Sequence, residues 1–115
     1  MKPRIRRYHL MLEFAAERML INRKFLADIS PKDEQLLNFV ALSYYKNEVL
    51  QVKDVIDNAE LGSAASIHSR ISSLKTQKYI KYVPLEDKRC MQVIPGEKYI
   101  RYLDALGIAI KKIAS

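Results

Sequence analysis

Leu61-Gly62-Ser63-Ala64-Ala65-Ser66-Ile67-His68-Ser69-Arg70-Ile71-Ser72-Ser73-Leu74, followed by strand-like runs at 79–84 and 89–94, is the stretch that decides the fold. Gly62 suits the left-handed conformation that ends a helix, and Ser63 suits the cap of the next one. A helix over 64–78 places Ala64, Ile67, Ile71, Leu74 and the stem of Lys78 on one side, at spacings of three and four. The period then changes to alternation in Tyr79-Ile80-Lys81-Tyr82-Val83-Pro84 and Arg89-Cys90-Met91-Gln92-Val93-Ile94. Leu85-Glu86-Asp87-Lys88 between them makes the charged tip of a hairpin.

Upstream of Gly62, residues 53–60 read as a short helix with Val55, Ile56 and Ala59 facing inward. Val49-Leu50-Gln51-Val52 before it suits one strand or an extended connector. Ser30-Pro31-Lys32-Asp33 is a helix start, with a capping hydroxyl, a proline at the first helical position and acid near the positive helix end. That helix reaches about Lys46, with Leu36, Leu37, Val40, Ala41 and Tyr44 as its buried stripe. The ends of the chain carry two more helices, over 8–27 and 97–114. The last follows an interruption at Pro95-Gly96, where Pro95 forces the helix start. Both terminal helices are apolar around more of their circumference than a small monomer covers, which points to a partner surface.

The order helix, glycine turn, helix, basic hairpin predicts a winged helix-turn-helix: mainly α with a small β-hairpin wing. The 115 residues make one domain, with residues 1–29 and 96–115 as dimerisation helices around a DNA-binding part at 30–95. The charge map agrees. The net charge is +7; residues 1–30 carry seven basic against three acidic residues, and residues 61–95 six against two, whereas 31–60 is acidic, three against six. A polyanionic partner is therefore expected, with double-stranded DNA the fitting one.

With the aliphatic stripe inward, Ala65, Ser66, Ser69, Ser72, Ser73 and Thr76 fall on the opposite face, with His68 and Arg70 on its flanks. Small hydroxyl side chains let a helix approach base edges, and an arginine binds guanine or phosphate. The expected DNA-binding set is Ser63, Ala65, Ser66, His68, Ser69, Arg70 and Ser73 on the helix, with Lys81, Lys88 and Arg89 on the hairpin. Two roles are open to Arg89, a phosphate contact or an ion pair with Asp87 that shapes the wing.

The run Ile67-His68-Ser69-Arg70-Ile71-Ser72-Ser73-Leu74-Lys75, then Tyr79-Ile80, then Asp87-Lys88-Arg89, resembles the recognition helix and wing of MarR-type regulators. The resemblance covers about residues 59–102. It implies that Asp87 stabilises the wing, that Arg89 lies near DNA, and that the chain is a homodimer joined through its terminal helices. The implied function is a transcriptional regulator, a repressor, on a palindromic operator. The chain departs from the family's pattern in having Lys78 where glycine is usual, Ile94-Pro95 where Leu-Thr is usual, and a slightly shorter wing.

No glycine-rich phosphate loop, nucleophile motif or arranged His and carboxylate pair is present, so no enzyme is expected, and no cofactor or metal. The lone Cys90 excludes an intramolecular disulfide and reads as an inert thiol. No run is apolar enough to cross a bilayer, and a cytoplasmic, nucleoid-associated location is expected. Any small-molecule effector is unknown. Phe39, Tyr44, Tyr45 and Met19 fit plain core better than a pocket. Two other readings stay open: a plasmid- or phage-type replication or architectural DNA-binding factor, and a winged-helix protein-interaction module, which would carry a hydrophobic or acidic face where this helix is hydroxyl-rich.

Overall fold

The computed structural model describes residues 3–87 and 89–115, with side chains from Arg7 onward. Five α-helices and a two-stranded hairpin follow in the order α1 (Pro3–Phe25), α2 (Pro31–Tyr45), α3 (Val52–Ile56), a 3₁₀ turn (Ala59–Leu61), α4 (Ala64–Thr76), β1 (Ile80–Pro84), β2 (Met91–Pro95) and α5 (Glu97–Ala114). This is a winged helix-turn-helix, with one further helix at each end of the chain. The chain divides into two compact units, residues 29–99 and residues 1–28 with 100–115.

In the unit of residues 29–99, local chemistry sets the helix starts. The Ser30 hydroxyl accepts from the Asp33 N–H at 3.1 Å, and the Ser63 hydroxyl accepts from the Ser66 N–H at 3.2 Å. Each satisfies an amide that the first helical turn leaves without a partner. The ends of α2 and α4 are set by a shared device. After α4 the Tyr79 N–H reaches back to Leu74 O at 2.9 Å and the Lys78 N–H to Lys75 O at 3.0 Å. This six-to-one and five-to-two pattern requires a left-handed residue between, and Lys78 supplies it at φ 69°. A lysine there costs about 1 kcal/mol relative to glycine. Asn47, at φ 61°, does the same after α2.

The core of this unit is built from Leu36, Leu37, Val40 and Ala41 of α2, Val55 of α3, and Ile67, Ile71 and Leu74 of α4, closed by Ile80, Val93 and Tyr99. Ile67, Ile71 and Leu74 are each no more than 1% exposed. Burying such side chains stabilises by roughly 1.5–3 kcal/mol apiece, so the rotation of α4 about its axis is firmly fixed. β1 and β2 pair antiparallel from Ile80 with Pro95 to Pro84 with Met91.

Several expectations are corrected. The helix read over 53–60 is two pieces, because the Asn58 side chain accepts from the Glu60 N–H at 3.1 Å and restarts the chain as a 3₁₀ turn. Of the two readings of 49–52, the connector holds for 49–51, which gives one bridge, Gln51 to Gln92, and the Leu50 carbonyl accepting from the Val93 N–H, while Val52 already opens α3. Gly62 has positive φ, 127°, but ψ −166°, an extended region open only to glycine rather than the left-handed helical one. Tyr44, Ala59 and Ala64 are exposed, and Lys78 lies beyond the end of α4. Pro95 is the last residue of β2, buried opposite Ile80, and the helix start falls after Gly96. α1 starts earlier than read, at Pro3, a residue suited to a first helical turn.

In the unit of residues 1–28 and 100–115, Leu26, Tyr102 and Ala109 are buried, and the rings of Phe25 and Tyr102 stand 6.5 Å apart. Much of its apolar surface is open. Met11 and Leu12 are each 67% exposed, and Tyr8, Met19, Leu20 and Ile108 are exposed with them. No described helix is long and apolar enough to cross a membrane.

Candidate nucleic-acid interface

Because the aliphatic ridge of α4 is buried, its opposite face is open. Ala65, His68, Ser69, Ser72, Ser73 and Thr76 are exposed and Ser66 is half-buried. The first turn of α4 carries no acidic residue, so the positive end of the helix is not neutralised and favours an anion. Not every hydroxyl is uncommitted. Ser63 is spent on the cap, Thr76 donates to Ser72 O at 3.0 Å, and Ser73 Oγ accepts from the Gln77 amide at 2.9 Å. Ser66 and Ser69, nearest the helix start, keep small side chains toward solvent.

Arg70 was expected on the flank of this face. Its guanidinium instead turns toward α2, where Nε stands 3.8 Å from Asp33 Oδ1, both side chains being 24% exposed. Arg70 Nη1 and Asp33 Oδ1 are buried without a hydrogen-bond partner. The pair is thus an ion pair held by proximity, bracing α4 against the first turn of α2. Both charges are visible along the chain but their meeting is not, since no helical spacing links α2 to α4.

On the hairpin, Lys81 points outward from β1 while Ile80 before it points in. At the tip, Asp87 Oδ1 accepts from the Arg89 backbone N–H at 3.1 Å, and the Cys90 N–H donates to Asp87 O at 2.8 Å. Asp87 therefore folds the turn through the backbone of Arg89, not through its guanidinium, and the exposed Arg89 side chain is left to reach outward. Lys88 lies outside the described residues. Cys90 is a half-buried free thiol. Phe39 is half-buried, whereas Tyr44 and Tyr45 are exposed, their rings edge to face at 5.4 Å.

Comparison with known proteins gives a fold and little sequence. No protein-family model matches the chain, and no curated protein does. Among solved structures, S. aureus MepR bound to ethidium bromide is similar with a TM-score of 0.67 at 13% identity, covering 99% of this chain and 79% of that one. The S. aureus MepR–DNA complex gives a TM-score of 0.61 at 18% identity over 93% and 74% of the two chains. The transcriptional regulator Tm0710 from Thermotoga maritima gives 0.57 at 16%, over 98% and 77%. The chain has the fold of these regulators, from its first helix to its last.

Proposed function

We propose that the protein is a sequence-specific double-stranded DNA-binding transcriptional regulator that works as a homodimer on a palindromic operator and represses by occupying it. The observation that carries this reading is the exposed, acid-free, small-residue face of α4, locked outward by the burial of Ile67, Ile71 and Leu74. A face of that kind enters a major groove, where Ala65, Ser66 and Ser69 approach base edges and His68 and Ser73 flank them. The amides beside Ser63, with Lys81 and Arg89 of the wing, take phosphates. Arg70 is assigned to holding α4 in place. The MepR–DNA complex supports the reading, because that protein shares the fold and binds DNA. The open apolar surface of α1 and α5 supports the dimer, which sets two recognition helices one DNA turn apart.

Selection of bound sites from random duplexes, followed by anisotropy titration across salt, tests the proposal. A palindromic consensus is expected, with affinity falling steeply as salt rises. Equal affinity for all duplexes would replace it with an architectural factor, and no affinity at low salt with a protein-interaction module. Sedimentation of the chain should give a dimer, and Leu12→Glu should shift it to monomer.

A further inference from the structure

A cleft of about 260 Å³ lies between the start of α3 and the second strand of the hairpin, lined by Gln51, Val52, Lys53, Arg89, Cys90 and Met91. Among the described residues lining it, the two charged ones are both cations, and both are exposed. The carboxylates beside them in sequence are turned to the main chain. Asp54 Oδ2 accepts from the Gln51 N–H at 2.8 Å, and Asp87 Oδ1 accepts from the Arg89 N–H at 3.1 Å. The backbone is tied on both sides of the opening. The Gln51 to Gln92 bridge and the Val93 N–H donating to Leu50 O at 2.7 Å hold the residues before α3 against β2. The Cys90 N–H donating to Asp87 O at 2.8 Å closes the hairpin. Lys53 and Arg89, far apart in sequence, are thereby presented to one opening, with little main-chain ordering left for a ligand to impose.

The floor differs in kind from the rim. Val52 and Cys90 are half-buried and Met91 is 39% exposed, which gives an apolar, polarizable surface. Two cations above such a floor match a group that is anionic at one end and carbon-rich at the other. A deoxyribose with its phosphodiester is that kind of group, and a DNA duplex repeats it at every step. We propose that this cleft holds one sugar-phosphate of the bound duplex, its phosphate between the Lys53 ammonium and the Arg89 guanidinium and its deoxyribose against Val52 and Met91. This assignment, which rests on the DNA-binding reading, brings α3 to the DNA backbone beside the hairpin. A phosphate held from two separate elements fixes the register of the duplex against both, which a single wing arginine does not.

Cys90, the one cysteine of the chain, lines the cleft and reports on its occupancy. Its alkylation by iodoacetamide, followed on the full chain by mass spectrometry, should slow when saturating duplex is present and recover when salt displaces the duplex. Lys53→Gln should weaken duplex binding roughly three- to fivefold in anisotropy titration, alike for all sequences, with the melting temperature unchanged. Lys112→Gln, in the other unit, should leave the affinity as it is. Because the two cations share one phosphate, Lys53→Gln added to Arg89→Ala should cost at most about twofold more than Arg89→Ala alone. A duplex that binds while Cys90 reacts at its free rate, an unchanged affinity in Lys53→Gln, or independent losses at Lys53 and Arg89 would overturn the proposal and leave the DNA-binding reading standing. Equal shielding of Cys90 by 2-deoxyribose 5-phosphate, at the same phosphate concentration, would overturn it in favour of a site for a free sugar phosphate. A parent chain that binds no duplex at low salt would overturn both.

Discussion

Replacing Gly96 by alanine should be among the most damaging single changes in the chain, although it adds one methyl group. A Cβ at this position would lie 2.3 Å from Lys78 O, 2.8 Å from Tyr79 C and 2.9 Å from Ile80 N. All three are backbone atoms, so no side chain can rotate away. The same corner is tied by the Gly96 N–H to Tyr79 O at 2.8 Å and the Lys98 N–H to Lys78 O at 3.3 Å. Relief of the overlap therefore means separating the end of β2 from the start of β1.

Overpacking of this kind costs about 1–3 kcal/mol, and weakening the two hydrogen bonds adds about 0.5–1.5 kcal/mol each. The lower unfolded-state entropy of alanine returns only about 0.4–1 kcal/mol. The net expectation is a loss of about 2–4 kcal/mol out of a total of about 5–15, or a fall in Tm of roughly 8–16 °C. Urea and thermal unfolding by circular dichroism, at one fixed protein concentration, measure this. Gly107→Ala is the internal contrast: a Cβ there meets nothing within 4 Å, in a helix interior, and should stabilise by about 0.5–1 kcal/mol. A Gly96→Ala variant as stable as the parent would refute the claim that this close approach holds the hairpin to the end of α4.

Ser69→Glu should lower duplex affinity more than tenfold with unchanged helix content, since it sets a carboxylate on the face proposed to meet DNA; anisotropy titration decides. Arg89→Ala should weaken all duplexes alike and flatten the salt dependence by about one ion, with no change in preferred sequence. Arg70→Ala leaves the half-buried Asp33 carboxylate without its cation and should cost about 1 kcal/mol, while the ranking of bound sites in a selection stays the same. Burial raises the Tyr82 phenol above its ordinary 10.0, so the folded state resists ionisation: stability is intact below pH 10 and declines as pH rises through the folded value. Tyr82→Phe should remove that share of the alkaline decline in urea midpoints measured from pH 9 to 11.

What could be read from the sequence is what neighbours along the chain decide. Ser30 and Ser63 cap because a hydroxyl and an amide three residues on are brought together by the helix itself. Ile67, Ile71 and Leu74 could be assigned inward because their spacing matches the helical period. The same periodicity misplaced Tyr44, Ala59 and Ala64, since spacing gives the direction of a stripe but not how far the opposing surface extends to cover it. It was silent on Arg70, whose partner Asp33 lies on another helix.

Lys78 shows the division most clearly. Lysine stands where glycine is usual, yet the backbone adopts the left-handed turn regardless, because Tyr79 and Leu74 are both buried and their hydrogen bond closes the corner. Tertiary packing there outweighs a preference of about 1 kcal/mol. A residue kept against its own backbone preference must either be tolerated for want of selection or contribute through its side chain. The Lys78→Gly variant measures the first, since relief of the left-handed strain at φ 69° predicts a gain of about 1 kcal/mol in urea unfolding, and no gain would refute the strain.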